Sequence, residues 1–208
     1  MTRLLADCPY RVSRFGGAFG SRIATGRKAN NGQVMGEDEL SAVRRRLPRG
    51  SRTWGMVTGF PAGAGRAGMA VDVGDPVPGW VDALALPEEP SQWPPVGRKG
   101  LFEVLQHRGF EIRLLPLDAG MRGRGARSHR RSGSEWAAIA RRRPVGAVLD
   151  ATVERVFPGN REYTVHFGEA YETVEYEGTP PDPGARVSLM VEKQSEWTRS
   201  LILRPCDE

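Results

Sequence analysis

The chain repeats itself at an offset of 96 residues, and this repeat restricts the fold more than any other feature of the sequence. Glu39 matches Glu135, Val43 matches Ile139, Arg45 and Arg46 match Arg141 and Arg142, and Pro48 and Gly50 match Pro144 and Gly146. Both segments have helical spacing: Leu40 and Val43 share a face within Asp38 to Arg46, as do Trp136 and Ile139 within Ser134 to Arg143. Each places an acid near its start and arginines at its end, the arrangement a helix dipole favours. Two units of about 60 to 80 residues each stand near the lower limit of independent stability, so a shared interface would suit them.

After each Pro-x-Gly turn come short alternating or β-rich runs separated by turn residues, the pattern of a small all-β sandwich or barrel. The first unit is expected to form strands at Arg52 to Phe60, Gly68 to Val73, Gly79 to Leu84, Lys99 to His107 and Phe110 to Leu117. The second is expected to form them at Val148 to Phe157, Glu162 to Phe167, Glu172 to Tyr176, Arg186 to Lys193 and Ser200 to Arg204. Tyr163, Val165 and Phe167 alternate with Thr164 and His166, which reads as a half-buried strand. A Pro-rich loop, Pro87 to Gly97, interrupts the first unit, and the shorter Gly178 to Gly184 stands at the same place in the second.

Charge is distributed unevenly. The net formal charge is +6 over residues 1–50, −2 over 51–118, +7 over 119–143 and −6 over 144–208, giving the total of +5. The basic pI of 9.7 therefore comes from the N-terminal tail and the linker, while both expected barrels are acidic. Arginine outnumbers lysine 27 to 3, a bias that the codon usage of a GC-rich genome explains as well as phosphate recognition does. Residues 1–34 have little apolar periodicity and are expected to be disordered, with Met35 an alternative start to Met1. The units are expected at 38–118 and 134–208, joined by a flexible cationic linker at 119–133.

The Pro-x-Gly turns, a small residue two before Val in the first strand (Gly55 and Val57, Ala151 and Val153) and second-strand runs ending in Gly (Ala70 to Gly74, Thr164 to Gly168) form a recurring set. Gly97 and Gly184 precede the fourth strands, and Ile112-Arg113-Leu114 and Leu201-Ile202-Leu203 close the units. This pattern, covering about two thirds of the chain, resembles the S-one RNA-binding domain of the OB superfamily and is similar to the tandem arrangement of actinobacterial-type S-one proteins. The resemblance implies an all-β fold of two five-stranded OB-type barrels, each preceded by a short helix. It also implies binding of single-stranded RNA, with bases stacked on aromatics over a basic groove. The family's two second-strand aromatics align with Ala67 and Ala70 in the first unit and with Arg161 and Thr164 in the second. Its third-strand His aligns with Asp82 and Glu175.

Candidate nucleic-acid contacts are Trp54, Trp80, Arg66 and Arg108 in the first unit, with Arg122, Arg124, Arg127, Arg130 and Arg131 in the linker. Those linker arginines would either contact phosphates or neutralise the acidic units beside them. Trp93, among Pro90, Pro94 and Pro95, and Asp82 are candidates for contact with a protein partner. The expected partner is RNA or a ribonucleoprotein; the alternative is an inhibitor-like or immunity-like module presenting an acidic OB surface to a basic protein. No enzyme, cofactor or metal is expected, since His107, His129 and His166 lie apart and Cys8 and Cys206 stand near opposite ends of the chain. Gly63 to Gly68 resembles a dinucleotide fingerprint but leads into a strand, so a hairpin is expected there. No run of about 20 apolar residues occurs, and a cytoplasmic protein without a membrane partner is the expectation.

Overall fold

The computed structural model describes residues 34–63, 66–123, 131–168 and 170–206. The disorder expected of residues 1–33 and the placement of Arg124, Arg127, Arg130 and Cys8 lie outside the described residues. Two α-helices stand within one residue of their expected starts: α1, Glu37–Arg46, and α2, Gly133–Arg142. α1 buries Leu40, Val43 and Arg44, and α2 buries Trp136. Ser132 and Glu135 cap α2 reciprocally, each side chain accepting from the other's backbone N–H. Both helices run into Pro-x-Gly turns whose glycines have left-handed φ values, +71° at Gly50 and +86° at Gly146, which explains the repeated glycine.

The first unit contains β1 (Arg52–Gly59), β2 (Ala62–Gly63), β3 (Arg66–Asp72), β4 (Gly79–Asp82), β5 (Lys99–Arg108) and β6 (Glu111–Pro116). Its ladders run β1 to β5, β6, β4 and β3, and β3 returns to β1, so five strands close into a barrel. The β4–β6 pair is parallel and the others are antiparallel. The short β2 pairs back on β3, with Ala62 opposite Ala67, so the glycine-rich stretch is the hairpin its position implied. Val57, Met69, Val71, Val81, Phe102, Val104, Ile112 and Leu114 fill the barrel, and Leu40 and Val43 of α1 and Met35 join the same core.

The second unit contains β7 (Val148–Phe157), β8 (Glu162–Phe167), β9 (Ala170–Glu175), β10 (Arg186–Ser195) and β11 (Ser200–Pro205). It repeats details of the first. Bulges follow Val57 and Val153 on the first strands and Val104 and Val191 on the fourth, and the amides of Gly97 and Gly184 donate to the carbonyls of Val57 and Val153, both at 2.8 Å.

The expectation of a second closed barrel is corrected by the ladder, which runs β11-β10-β7-β8-β9 and stops. β9 and β11 flank a seam bridged by side chains. Glu172 stands opposite the fully buried Val165 and so faces inward, where its Oε1 accepts from the Leu201 amide at 2.9 Å and from Arg131 at 2.7 Å. Arg131 also donates to the carbonyls of Arg199 and Tyr171, each at 2.8 Å, and thereby ties the two edges together. An ionised side chain at a position that would otherwise be apolar demands such partners, and they occupy the place of a strand ladder.

Candidate nucleic-acid interface

The outer surface of the barrel follows from the alternation of β1. Gly55 and Val57 point inward and are buried, while Arg52, Trp54, Met56 and Thr58 point outward and are exposed. Register places Trp54 opposite Leu101, and Met56 opposite Lys99 on one side and Asp72 on the other. Trp54 leaves 68% of its surface in water, and Met56 leaves 37%. Among the described residues, the side chains of Arg52, Arg98 and Lys99 form no hydrogen bond or ion pair, so this aromatic and apolar patch is flanked by free cations.

Trp80 is also on the outer side, opposite Ala70 on β3, but is only 8% exposed. Its ring lies over Gly68: a Cβ there would stand 2.7 Å from the indole and 2.2 Å from the Val81 carbonyl. The small residues of β3 thus receive the tryptophan of β4 where the family resemblance placed aromatics of β3 itself. Asp82 accepts from Arg113 at 3.0 Å with one oxygen and caps the amide of Leu84 with the other. The Asp82 carboxylate and the Arg113 guanidinium therefore satisfy each other.

The corresponding outer face of the second unit, on β8 and β9, is closed at one end by the barrel. Glu162 and Glu175 stand directly opposite each other there. Gln106 donates to Glu162 at 2.6 Å, and His107 meets Glu175 at 2.7 Å through Nδ1 and the Leu47 carbonyl at 2.8 Å through Nε2. The His107 ring is thus held between the Glu175 carboxylate and the Leu47 carbonyl. Arg44 donates to the carbonyls of Tyr176, Asn160 and Arg161, and Arg49 donates to that of Thr173. Ser195 donates to Glu103, and Lys193 to the carbonyl of Gly50. The two units are therefore joined through buried polar groups.

Burial raises the pKa of Glu162, with the Gln106 hydrogen bond opposing it, and its Oε1 is buried without a hydrogen-bond partner among the described residues. Burial likewise raises Glu103 and Glu172 against the pull of their partners. Burial also acts to raise Glu175, but the His107 hydrogen bond and the charges of His107, Arg44 and Arg49 outweigh it and leave the carboxyl below its ordinary value. A cavity of about 280 Å³ lies along this junction, with Arg49, Gln106, Glu162, Glu172 and Arg199 in its wall.

The remaining sequence candidates have other neighbours. Arg131 lies in the seam already described, and the Arg122 guanidinium lies 4.8 Å above the Trp197 ring. Arg108 is half-buried and donates to Gln106 at 3.3 Å, and the side chain of Arg66 is outside the described residues. Trp93, a candidate for contact with a protein partner, is half-buried; its indole donates to the Pro87 carbonyl at 2.7 Å and its ring stands 5.4 Å from that of Phe60. It pins the Pro-rich loop to the barrel. Arg52 and Met56 are not among the sequence candidates although the alternation of β1 points them outward, and Lys99 joins them only through the pairing of β5 with β1.

No protein-family model matches the chain, and no curated protein matches it. Among solved structures, a multidomain protein with nucleic acid binding domains from Streptococcus pneumoniae TIGR4 is similar over 84% of this chain and 54% of its own, at 18% identity and a TM-score of 0.28. The chain thus spans about half the length of that protein, and the likeness is too slight to carry fold or function. Among the described residues, no helix is long and apolar enough to cross a membrane, and no three His, Cys, Asp or Glu side chains are placed to hold a metal ion.

Proposed function

We propose that the chain is a non-enzymatic protein that binds single-stranded nucleic acid, with RNA or a ribonucleoprotein as its target, on the outer face of the barrel centred on Trp54. The observation that carries this reading is the 68% exposure of Trp54 beside Met56, with Arg52 and Lys99 in the same register. A tryptophan normally buries its large apolar area, and one left in water between cations fits a stacking platform beside phosphate contacts. The closed strand order of the barrel, with its one parallel pair, supports the OB reading of this unit, and the shared turns and bulges support reading the second as its diverged copy.

The alternative was an acidic surface offered to a basic protein. It has less support, because Glu103, Glu162 and Glu172 are buried and Glu162 and Glu175 face the barrel. The test is fluorescence anisotropy of a labelled oligoribonucleotide of about ten nucleotides, within the span of one OB fold, titrated with the full chain at low salt. Trp54→Ala is expected to weaken binding between about fivefold and a hundredfold, since stacking contributes about 1 to 3 kcal/mol per base. Undetectable binding by the unaltered chain, or equal binding by the variant, would refute the proposal.

A further inference from the structure

We infer that a groove on the second unit, between α2 and the facing ends of β8 and β9, is a second contact for the same single strand, taking a phosphate on Arg142 and Arg143 and a base on Tyr171. The inference relies on the proposed function for the class of ligand but shares none of its residues. The groove has a volume of about 580 Å³, within the range of sites for small ligands. Its apolar side is formed by Ile139, Ala138 and Phe167. Tyr171, at its edge, is 48% exposed, and its ring lies 6.0 Å from that of His166.

Arginines in the last turn of a helix commonly serve its terminal carbonyls. Here Gln194 takes that role, donating to the carbonyls of Ala140 and Arg143 at 2.8 Å each. Arg142 is exposed and, among the described residues, unpaired; Arg143 makes no ion pair and holds its guanidinium 5.9 Å from the Phe167 ring. Among the described residues the acid lining the groove is Glu135, which is engaged in capping α2. Two guanidinium groups that form no ion pair among the described residues, next to an exposed aromatic ring, complement a phosphate followed by a base. The barrel covers only the Glu162 and Glu175 end of this face, so the Tyr171 end stays open.

The test uses the full chain and a labelled oligouridylate of about twenty nucleotides, long enough for more than one contact. Arg142→Ala with Arg143→Ala is expected to weaken binding about tenfold and to lower the salt slope by about 0.7, the counterion release of one single-strand phosphate. Tyr171→Ala should weaken binding about fivefold or more, while Tyr171→Phe, which keeps the ring, should not. Unchanged affinity and salt slope in the double variant would overturn the inference while leaving the Trp54 face in place. A loss there with none from Trp54→Ala would keep the groove and remove the barrel face. Thermal melts matching the unaltered chain confirm that the variants fold, and Tyr171→Phe against Tyr171→Ala provides a second reading if the double variant does not.

Discussion

Replacing Arg131 by Ala tests the side-chain closure of the second unit. The guanidinium makes three contacts across the seam, to the Glu172 carboxylate and to the carbonyls of Arg199 and Tyr171. Glu172 has only 5% of its side chain exposed and would keep the Leu201 amide as its remaining donor. Breaking a buried pair by removing one partner costs about 3 to 5 kcal/mol. For a chain of this size, that is about 6 to 20 °C in Tm.

The loss should depend on pH, because the stranded carboxyl can take up a proton. Burial already raises the Glu172 pKa, and Arg131 is the main group holding it down. Removing Arg131 raises the folded pKa further. A carboxyl raised in the folded state contributes its full stability below the unfolded pKa and loses it as pH rises through the folded pKa. Urea unfolding followed by tryptophan fluorescence should therefore show a larger deficit at pH 8 than at pH 5, and Glu172→Gln in the same background should recover most of the pH 8 loss. A deficit below about 0.5 kcal/mol, the scale of an ordinary surface substitution, or one independent of pH would refute this account of the seam.

Glu162→Gln removes a buried carboxylate with one unsatisfied oxygen and a pKa raised by burial. The same sign argument gives a variant at least as stable as the unaltered chain at pH 8, an advantage that fades towards pH 4, measured by urea unfolding at both. Gly68→Ala places a methyl group against the Trp80 ring and the Val81 carbonyl, and should cost about 1 to 3 kcal/mol as overpacking does. A shift in tryptophan emission should accompany that loss; an unshifted spectrum with unchanged stability would show that Trp80 does not lie on Gly68.

The parts of the fold legible in the sequence are those fixed by neighbours along the chain. Helical spacing located α1 and α2, alternation located β1 and β8, and the recurring Pro-x-Gly located turns that need a left-handed glycine. Periodicity separates the inner from the outer face of a strand but does not say what covers the outer one. Glu162, Glu175 and His107 therefore resembled solvated surface residues, although each is held at the junction of the units. The inward placement of Glu172 is hidden for a different reason. An acid at an inward position breaks the alternation, and the groups that compensate for it, Arg131 and the Leu201 amide, are distant in the chain. Trp54 could be listed as aromatic from the sequence, but its exposure depends on which neighbouring strands leave it uncovered.

The seam also bears on how the chain behaves at high concentration. An open sheet has two edges, and the backbone groups along an edge can pair with a strand from another molecule and begin aggregation. Here Arg131 spans both edges, bonded to a carbonyl on each side, and Glu172 presents a charge that an incoming strand would have to desolvate. The ion pair that replaces the missing ladder therefore guards the opening as well, and losing it would favour edge-to-edge self-association before the rest of the sheet unfolds.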